Sequence, residues 1–307
     1  MTKAIAIVGP TAVGKTALSI QLAHHLNGEV ISGDSMQIYR HLDIGTAKIT
    51  PTEMEGVPHH LINIRDLNQR FSAAEFQKLA SEQIEQIEKN GHLPMIVGGT
   101  GFYLQTLTEN LALGADRFDE KSQRIRDYWH EIAEQNGSEY VWRQLQQKDP
   151  QAAAQIPTGN LRRIIRALEV IEKTGHLFSQ QTQTKTENDF LLIGLTTERS
   201  VLYERINQRV DLMIKSGLLD EARWLYEQGG ENYQSGKGIG YRELFPYFKG
   251  EATLDDAVAK IKQDSRHYAK RQLTWFRNKM NVQWYDLVSG RNTTNEIEAV
   301  VENWLKN

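Results

Sequence analysis

A loop of fixed spacing carries the plainest chemistry in this chain. Gly9-Pro10-Thr11-Ala12-Val13-Gly14-Lys15-Thr16 satisfies G-x-x-x-x-G-K-[ST]. Such a loop binds phosphate: small residues admit the anion to the backbone, and the N–H groups of Val13 to Thr16 point into one concavity. A following helix adds the positive end of its dipole, Lys15 reaches the terminal phosphates, and the Thr16 hydroxyl suits Mg²⁺. A nucleotide hydrolase usually ends a second apolar strand in Asp to place that metal. Here Pro94-Met95-Ile96-Val97 runs instead into Gly98-Gly99-Thr100-Gly101, with no carboxylate. The acid beside the phosphates is Asp34, in Asp34-Ser35-Met36-Gln37. A carboxylate there suits a base acting on an acceptor nucleophile.

Three basic stretches could hold polyanions. In Gly159-Asn160-Leu161-Arg162-Arg163-Ile164-Ile165-Arg166, Arg162 and Arg166 share a helix face with Arg163 close by. They fit a nucleic-acid backbone, or else a solvated face paired with Glu169 and Glu172. Arg205 and Arg209, four apart, could clamp a diphosphate if their helix covers the glycine loop; Arg209 is the preferred one, and surface pairing with Glu204 or Asp211 is the alternative. Leu254–Met280 carries seven Lys or Arg against three Asp, with His267, Tyr268, Trp275 and Phe276 interleaved. That pattern suits an RNA face, although amphipathicity alone would place Trp275 or Phe276 in a core.

The elements that must position these groups alternate short apolar runs with helical stretches: strands at Ile5–Val8, Val30–Ser32, His60–Ile64 and Met95–Val97, and a helix near Ala73–Lys89. This is the grammar of a parallel α/β sheet. Ligands in such sheets sit at the carboxyl ends of strands, so the glycine loop, Asp34–Gln37 and Gly98–Gly101 are expected to face one crevice. From about Asp116 to Asp189 strands vanish and helices such as Glu120–Gln135 and Tyr140–Gln147 take over, with Gln181–Asn188 as a polar connector. Phe190–Leu195 then reads as a strand buried on both faces and returning to the first sheet. The expected organisation is a P-loop core of 1–114 with 190–307, interrupted by a helical domain over 115–189. Val201–Ser216 and Leu254–Lys279 read as helices, Val282–Leu287 as a strand and Asn295–Leu305 as a short helix.

At 307 residues the chain has room for one large or two modest domains. The absence of cysteine excludes disulfides, thiolate metal sites and a cysteine nucleophile. Neither an eighteen-residue apolar run nor a secretory leader is present, so no membrane partner is expected and the cytoplasm is the expected location. A net charge of −3 argues against a uniformly basic nucleic-acid binder but leaves local patches open.

Taken in order, the glycine loop, Asp34–Arg40, Asp43–Lys48, Val57–Leu61, Gly98–Leu104, Arg163–Val170, Gly238–Arg242 and Lys270–Arg277 resemble the tRNA dimethylallyltransferase family in its bacterial form. The resemblance spans nearly the whole chain. It implies a P-loop NTPase-like core that cradles diphosphate and not ATP. The implied reaction transfers a dimethylallyl group from dimethylallyl diphosphate to N6 of adenosine 37 in tRNAs reading codons that begin with U. Mg²⁺ is the implied cofactor and a monomer the expected state. Asp34, Thr16, Lys15 and Arg209 would be catalytic, with Thr16 on the metal. Asp34, Ser35, Met36, Gln37, Thr100, Gly159, Asn160, Leu161, Arg162, Arg163, Gly238, Tyr241, Arg242, Lys270, Arg271 and Arg277 would meet the tRNA. Other readings compatible with the loop are a small-metabolite kinase, an isopentenyltransferase acting on free adenine nucleotide, and a non-catalytic RNA-binding protein. The first two give Arg162–Arg166 and the basic helix no work to do.

Overall fold

Strand β1 (Lys3–Val8) shows why the core forms: Ala4, Ala6 and Val8 belong to one buried cluster, while Ile5 and Ile7 belong to another on the opposite face. A strand apolar at every position has two faces to cover, and helices cover both. The computed structural model describes residues 2–111, 119–180 and 188–307. Along the chain β1 is followed by α1 (Lys15–Leu26), β2 (Gly28–Ser32), β3 (His59–His60), α2 (Ala73–Lys89), β4 (Leu93–Gly98) and α3 (Gly101–Thr108). Next come α4 (Glu120–Asn136), α5 (Ser138–Lys148), α6 (Pro150–Gln155) and α7 (Leu161–Thr174). The chain then forms β5 (Asp189–Leu195), α8 (Arg199–Lys215), α9 (Leu218–Glu227), α10 (Phe245–Phe248), α11 (Leu254–Lys279), β6 (Gln283–Tyr285) and α12 (Thr294–Lys306).

Among the described residues six strands form one sheet in the order β3-β2-β4-β1-β5-β6, with every adjacent pair parallel. The register aligns Val8 with Gly98 and with Gly194, so β1, β4 and β5 end together. Phe76, Ile84, Leu104 and Phe276 pack on one face; Leu18, Leu22, Leu202, Ile206 and Val301 pack on the other. Helix ends are fixed locally by capping boxes at Ser72 and Glu75, Thr253 and Asp256, and Thr293 and Glu296.

The strand read over His60–Ile64 is only two residues long. Leu61 and Asn63 adopt positive φ of 59° and 55°, which turns the chain out of the ladder. The apolar residues that suggested a longer strand serve burial instead, Leu61 being 7% exposed. Where the strands begin, the buried Glu29 carboxylate accepts hydrogen bonds from His60 Nε2 at 2.6 Å and from His92 Nδ1.

The chain divides into two compact units, 1–109 with 186–307, and 110–185. The second has its own core, in which Trp129, Val141, Leu145, Ile156, Ile164 and Leu168 pack together. Inside it Glu169, 0% exposed, accepts from Arg126 at 2.8 and 3.1 Å and pairs with Arg166 at 3.0 Å. The polar connector read over 181–188 lies outside the described residues apart from Asn188, as does the 114/115 boundary.

Candidate active site

Three strand ends bring the crevice together. Gly33 N–H donates to Val97 O at 2.8 Å, and a side chain on Gly98 would stand 2.4 Å from the Gly33 backbone. Only glycine lets β2 and β4 close this tightly, and their closure sets Asp34 beside Thr100. Ser35 N–H donates to Thr100 Oγ1 at 3.1 Å, and Met36 N–H donates to Asp34 Oδ1 at 2.8 Å. Asp34 is pushed above the usual carboxylate range by burial, opposed by the Met36 amide, the Lys15 charge and the Gln37 amide.

On the other side of β1 the glycine loop enters α1. Gly14 caps that helix without a side-chain hydrogen bond, so the first-turn amides are left for an anion. Lys15 Nζ donates to Gly9 O at 3.0 Å and Pro10 O at 2.6 Å. Burial, then the nearby Arg209 guanidinium, lowers the Lys15 amine to about 7, with Asp34 opposing. Helix α8 lies over this loop: Arg209 Nη1 donates to Thr11 Oγ1 at 2.6 Å and Arg205 Nε to Ala12 O at 2.7 Å. Both arginines therefore reach the cradle. Burial also holds Arg209 below its ordinary value, against the charge of Glu53. Thr16 is exposed on the first turn of α1. Among the described residues no three His, Cys, Asp or Glu cluster as metal ligands. One hydroxyl plus phosphate oxygens nonetheless fits Mg²⁺, which keeps several waters and takes few protein oxygens.

Helix α11 closes the acceptor side. Gln272, 5% exposed, donates to Gly99 O at 2.8 Å, and Trp275 packs on Gly101 with the Phe102 ring edge-on at 6.0 Å. Phe276 is core, 0% exposed. Tyr268, one turn before Gln272, is pushed up to about 12 by burial and by the Asp34 charge, with hydrogen bonding from Thr100 and Gln272 opposing. Lys270, Arg271 and Arg277 are exposed. The first two line a cavity of about 510 Å³ with His267, Thr274, Trp275, Asn278 and Lys279.

Several residues expected at the RNA are engaged within the protein. Tyr241 is 0% exposed and its hydroxyl donates to Glu221 at 2.7 Å, so it presents no face to a ligand. Gly238 is buried too, and a side chain there would stand 2.7 Å from Met36 Cε. Arg242 is exposed but bound to Glu243 and Asp264 at 2.6 and 3.3 Å. The Gln37 carboxamide turns inward: it accepts from Ser32 Oγ at 2.9 Å and donates to Thr46 O and Ala47 O at 3.3 and 3.2 Å. In the second unit, Gly159 is exposed, Asn160 caps α7 by accepting from Arg163 N–H at 3.3 Å, and Leu161 packs against the local core. Arg162 and Arg163 are exposed and make no ion pair among the described residues, whereas Arg166 is engaged by Glu169.

Reasoning from the sequence missed Tyr268 and Gln272 as neighbours of Thr100, although their spacing of four gave a shared face. It also missed Glu221, which in sequence is one acid among several.

A family model described as IPP transferase matches residues 37–279. The chain is 66% identical over 306 residues to the tRNA dimethylallyltransferase of Limosilactobacillus reuteri, with 100% of both chains covered. It superposes on the full-length tRNA isopentenylpyrophosphate transferase of Bacillus halodurans with a TM-score of 0.75 at 48% identity, covering 100% of this chain and 97% of that one. Against a eukaryotic dimethylallyltransferase acting on tRNA the TM-score is 0.83 at 30% identity, with coverage of 100% and 80%.

Proposed function

The chain belongs to the IPP transferase family, and on that footing we propose that it transfers a dimethylallyl group from dimethylallyl diphosphate to N6 of adenosine 37 in tRNAs reading codons that begin with U. One observation supports this above the others: a cationic phosphate cradle and a single raised carboxylate flank the same end of β1, with no acid following β4.

The chemistry follows from that arrangement. The allylic C–O bond breaks with its electron pair passing to the departing diphosphate, whose growing charge meets the α1 amides, Lys15, Arg205 and Arg209. The N6 lone pair forms the new C–N bond, and Asp34 accepts the amine proton or holds the amine in line. Thr16 would hold Mg²⁺ together with the donor's oxygens, and the ion's charge would ease departure of diphosphate. Reaching N6 requires the base to leave its stack, at a cost of a few kcal/mol. The extruded base would meet Thr100 and Tyr268 beside Asp34, while Arg162, Arg163, Lys270, Arg271 and Arg277 would supply charge for the RNA backbone.

Incubation with tRNA and dimethylallyl diphosphate, followed by mass spectrometry of the nucleosides, tests this directly. Adenosine should gain one isopentenyl unit with no requirement for ATP. Modification of AMP but not of tRNA would replace this reading with that of a free-nucleotide transferase.

A further inference from the structure

Segment 34–37, which carries Asp34, is irregular backbone and needs support from outside itself. That support can be followed bond by bond. Glu221, on α9, accepts the N–H groups of Asp43, Ile44 and Gly45 at 2.8 to 2.9 Å and the hydroxyl of Tyr241 at 2.7 Å. Tyr241 also forms the floor: a side chain on Gly45 would lie 2.5 Å from its ring. The loop so pinned presents Thr46 O and Ala47 O to the Gln37 amide, whose oxygen takes Ser32 Oγ at the end of β2. Lys48 Nζ ties the same loop to Tyr39 O, Asp43 and Asn63 at 2.6 to 2.7 Å.

We infer that Glu221 is a positioning residue for the acceptor side of the site, acting through loop 43–47 and the Gln37 side chain to hold the backbone that aims Asp34. A carboxylate is required because all four of its partners are donors, whereas a glutamine would turn N–H₂ toward some of them and leave partly buried amides unpaired. This inference rests on the proposed tRNA reaction for its kinetic consequence, though not for its structural one.

The test compares wild type, Glu221→Gln, Gln37→Ala, the double variant, and Tyr241→Phe, which deletes only one of Glu221's bonds. Glu221→Gln should lower kcat/KM for tRNA about ten- to a hundredfold, the scale of a small misplacement in a site. Dimethylallyl diphosphate affinity should stay within about twofold, because among the described residues no hydrogen bond joins this loop to residues 9–16, Arg205 or Arg209. In the Gln37→Ala background the same change should cost no more than about twofold, since the strut is already gone. Fold losses that multiply in the double variant, or equal loss of donor binding, would overturn the inference. Amide hydrogen exchange supplies a readout independent of activity: protection should fall over 34–48 in Glu221→Gln and hold in β1 and β4. Unchanged protection over 34–48 overturns the inference even if tRNA is not the substrate. Absence of tRNA turnover in wild type overturns only the functional reading. If Glu221→Gln does not fold, Tyr241→Phe should show the same local pattern at smaller amplitude, and no local change there would overturn the inference as well.

Discussion

An amine held near pKa 7 by burial and by Arg209 is mostly neutral at about pH 8, and a diphosphate arriving beside it favours the ammonium form. Donor binding at that pH should therefore take up close to one proton, by linkage. Calorimetry in two buffers of different ionisation heat measures this, and equal heats in both would refute it. Asp34 works in the opposite sense. With its carboxyl raised by burial, the acid limb of tRNA turnover should fall with a midpoint above the ordinary 3.8, because protonation removes the acceptor. Asp34→Asn should keep donor affinity while dropping kcat by roughly a hundredfold or more. Near wild-type turnover in that variant would take Asp34 out of the mechanism. The places of Lys15 in the glycine loop and of Asp34 after β2 were legible in the sequence because motif and strand end are local features. Their altered acidities were not, since burial and Arg209 come from chain far away in sequence.

Helix α7 shows how two uses of arginine share one element. Arg162 and Arg163 face solvent, while Arg166, three residues on, pairs with the buried Glu169. Replacing Arg162 and Arg163 by Gln should flatten the log–log salt dependence of tRNA binding by about one unit for each phosphate no longer neutralised, with donor binding intact. An unchanged slope would return α7 to the role of a solvated face. Arg166→Gln should instead act on stability, lowering the melting temperature of the protein, because the buried Glu169 loses one of the two cations that engage it among the described residues. Helical spacing put Arg162 and Arg166 on one face and offered Glu169 as a partner, but that this acid is buried and engages Arg166 could be found only in three dimensions.

At the scale of the molecule, the sheet is also tied where its strands begin, by Glu29 between His60 and His92. Burial would raise Glu29, but the two imidazoles outweigh it and hold it below the ordinary glutamate value. A carboxylate depressed in the folded state stabilises fully above its unfolded pKa and loses that contribution as pH falls through the folded one. Glu29→Gln should thus melt earlier than wild type near neutrality, and the gap should close toward about pH 3. A gap independent of pH would show that packing alone is involved. The alternation of strands and helices made the α/β core readable, because each βαβ step is written in contiguous residues. The support under Asp34 was not readable, since Glu221, Gly45, Tyr241 and Gln37 acquire meaning only as neighbours. One consequence lies in the order of synthesis. β1 pairs on one side with β4 and on the other with β5, and the whole of unit 110–185 is translated between them. At ribosomal speeds the nascent chain carries an unpaired apolar strand edge for roughly 5 to 20 s, long enough to meet chaperones or other nascent chains before β5 emerges to cover it.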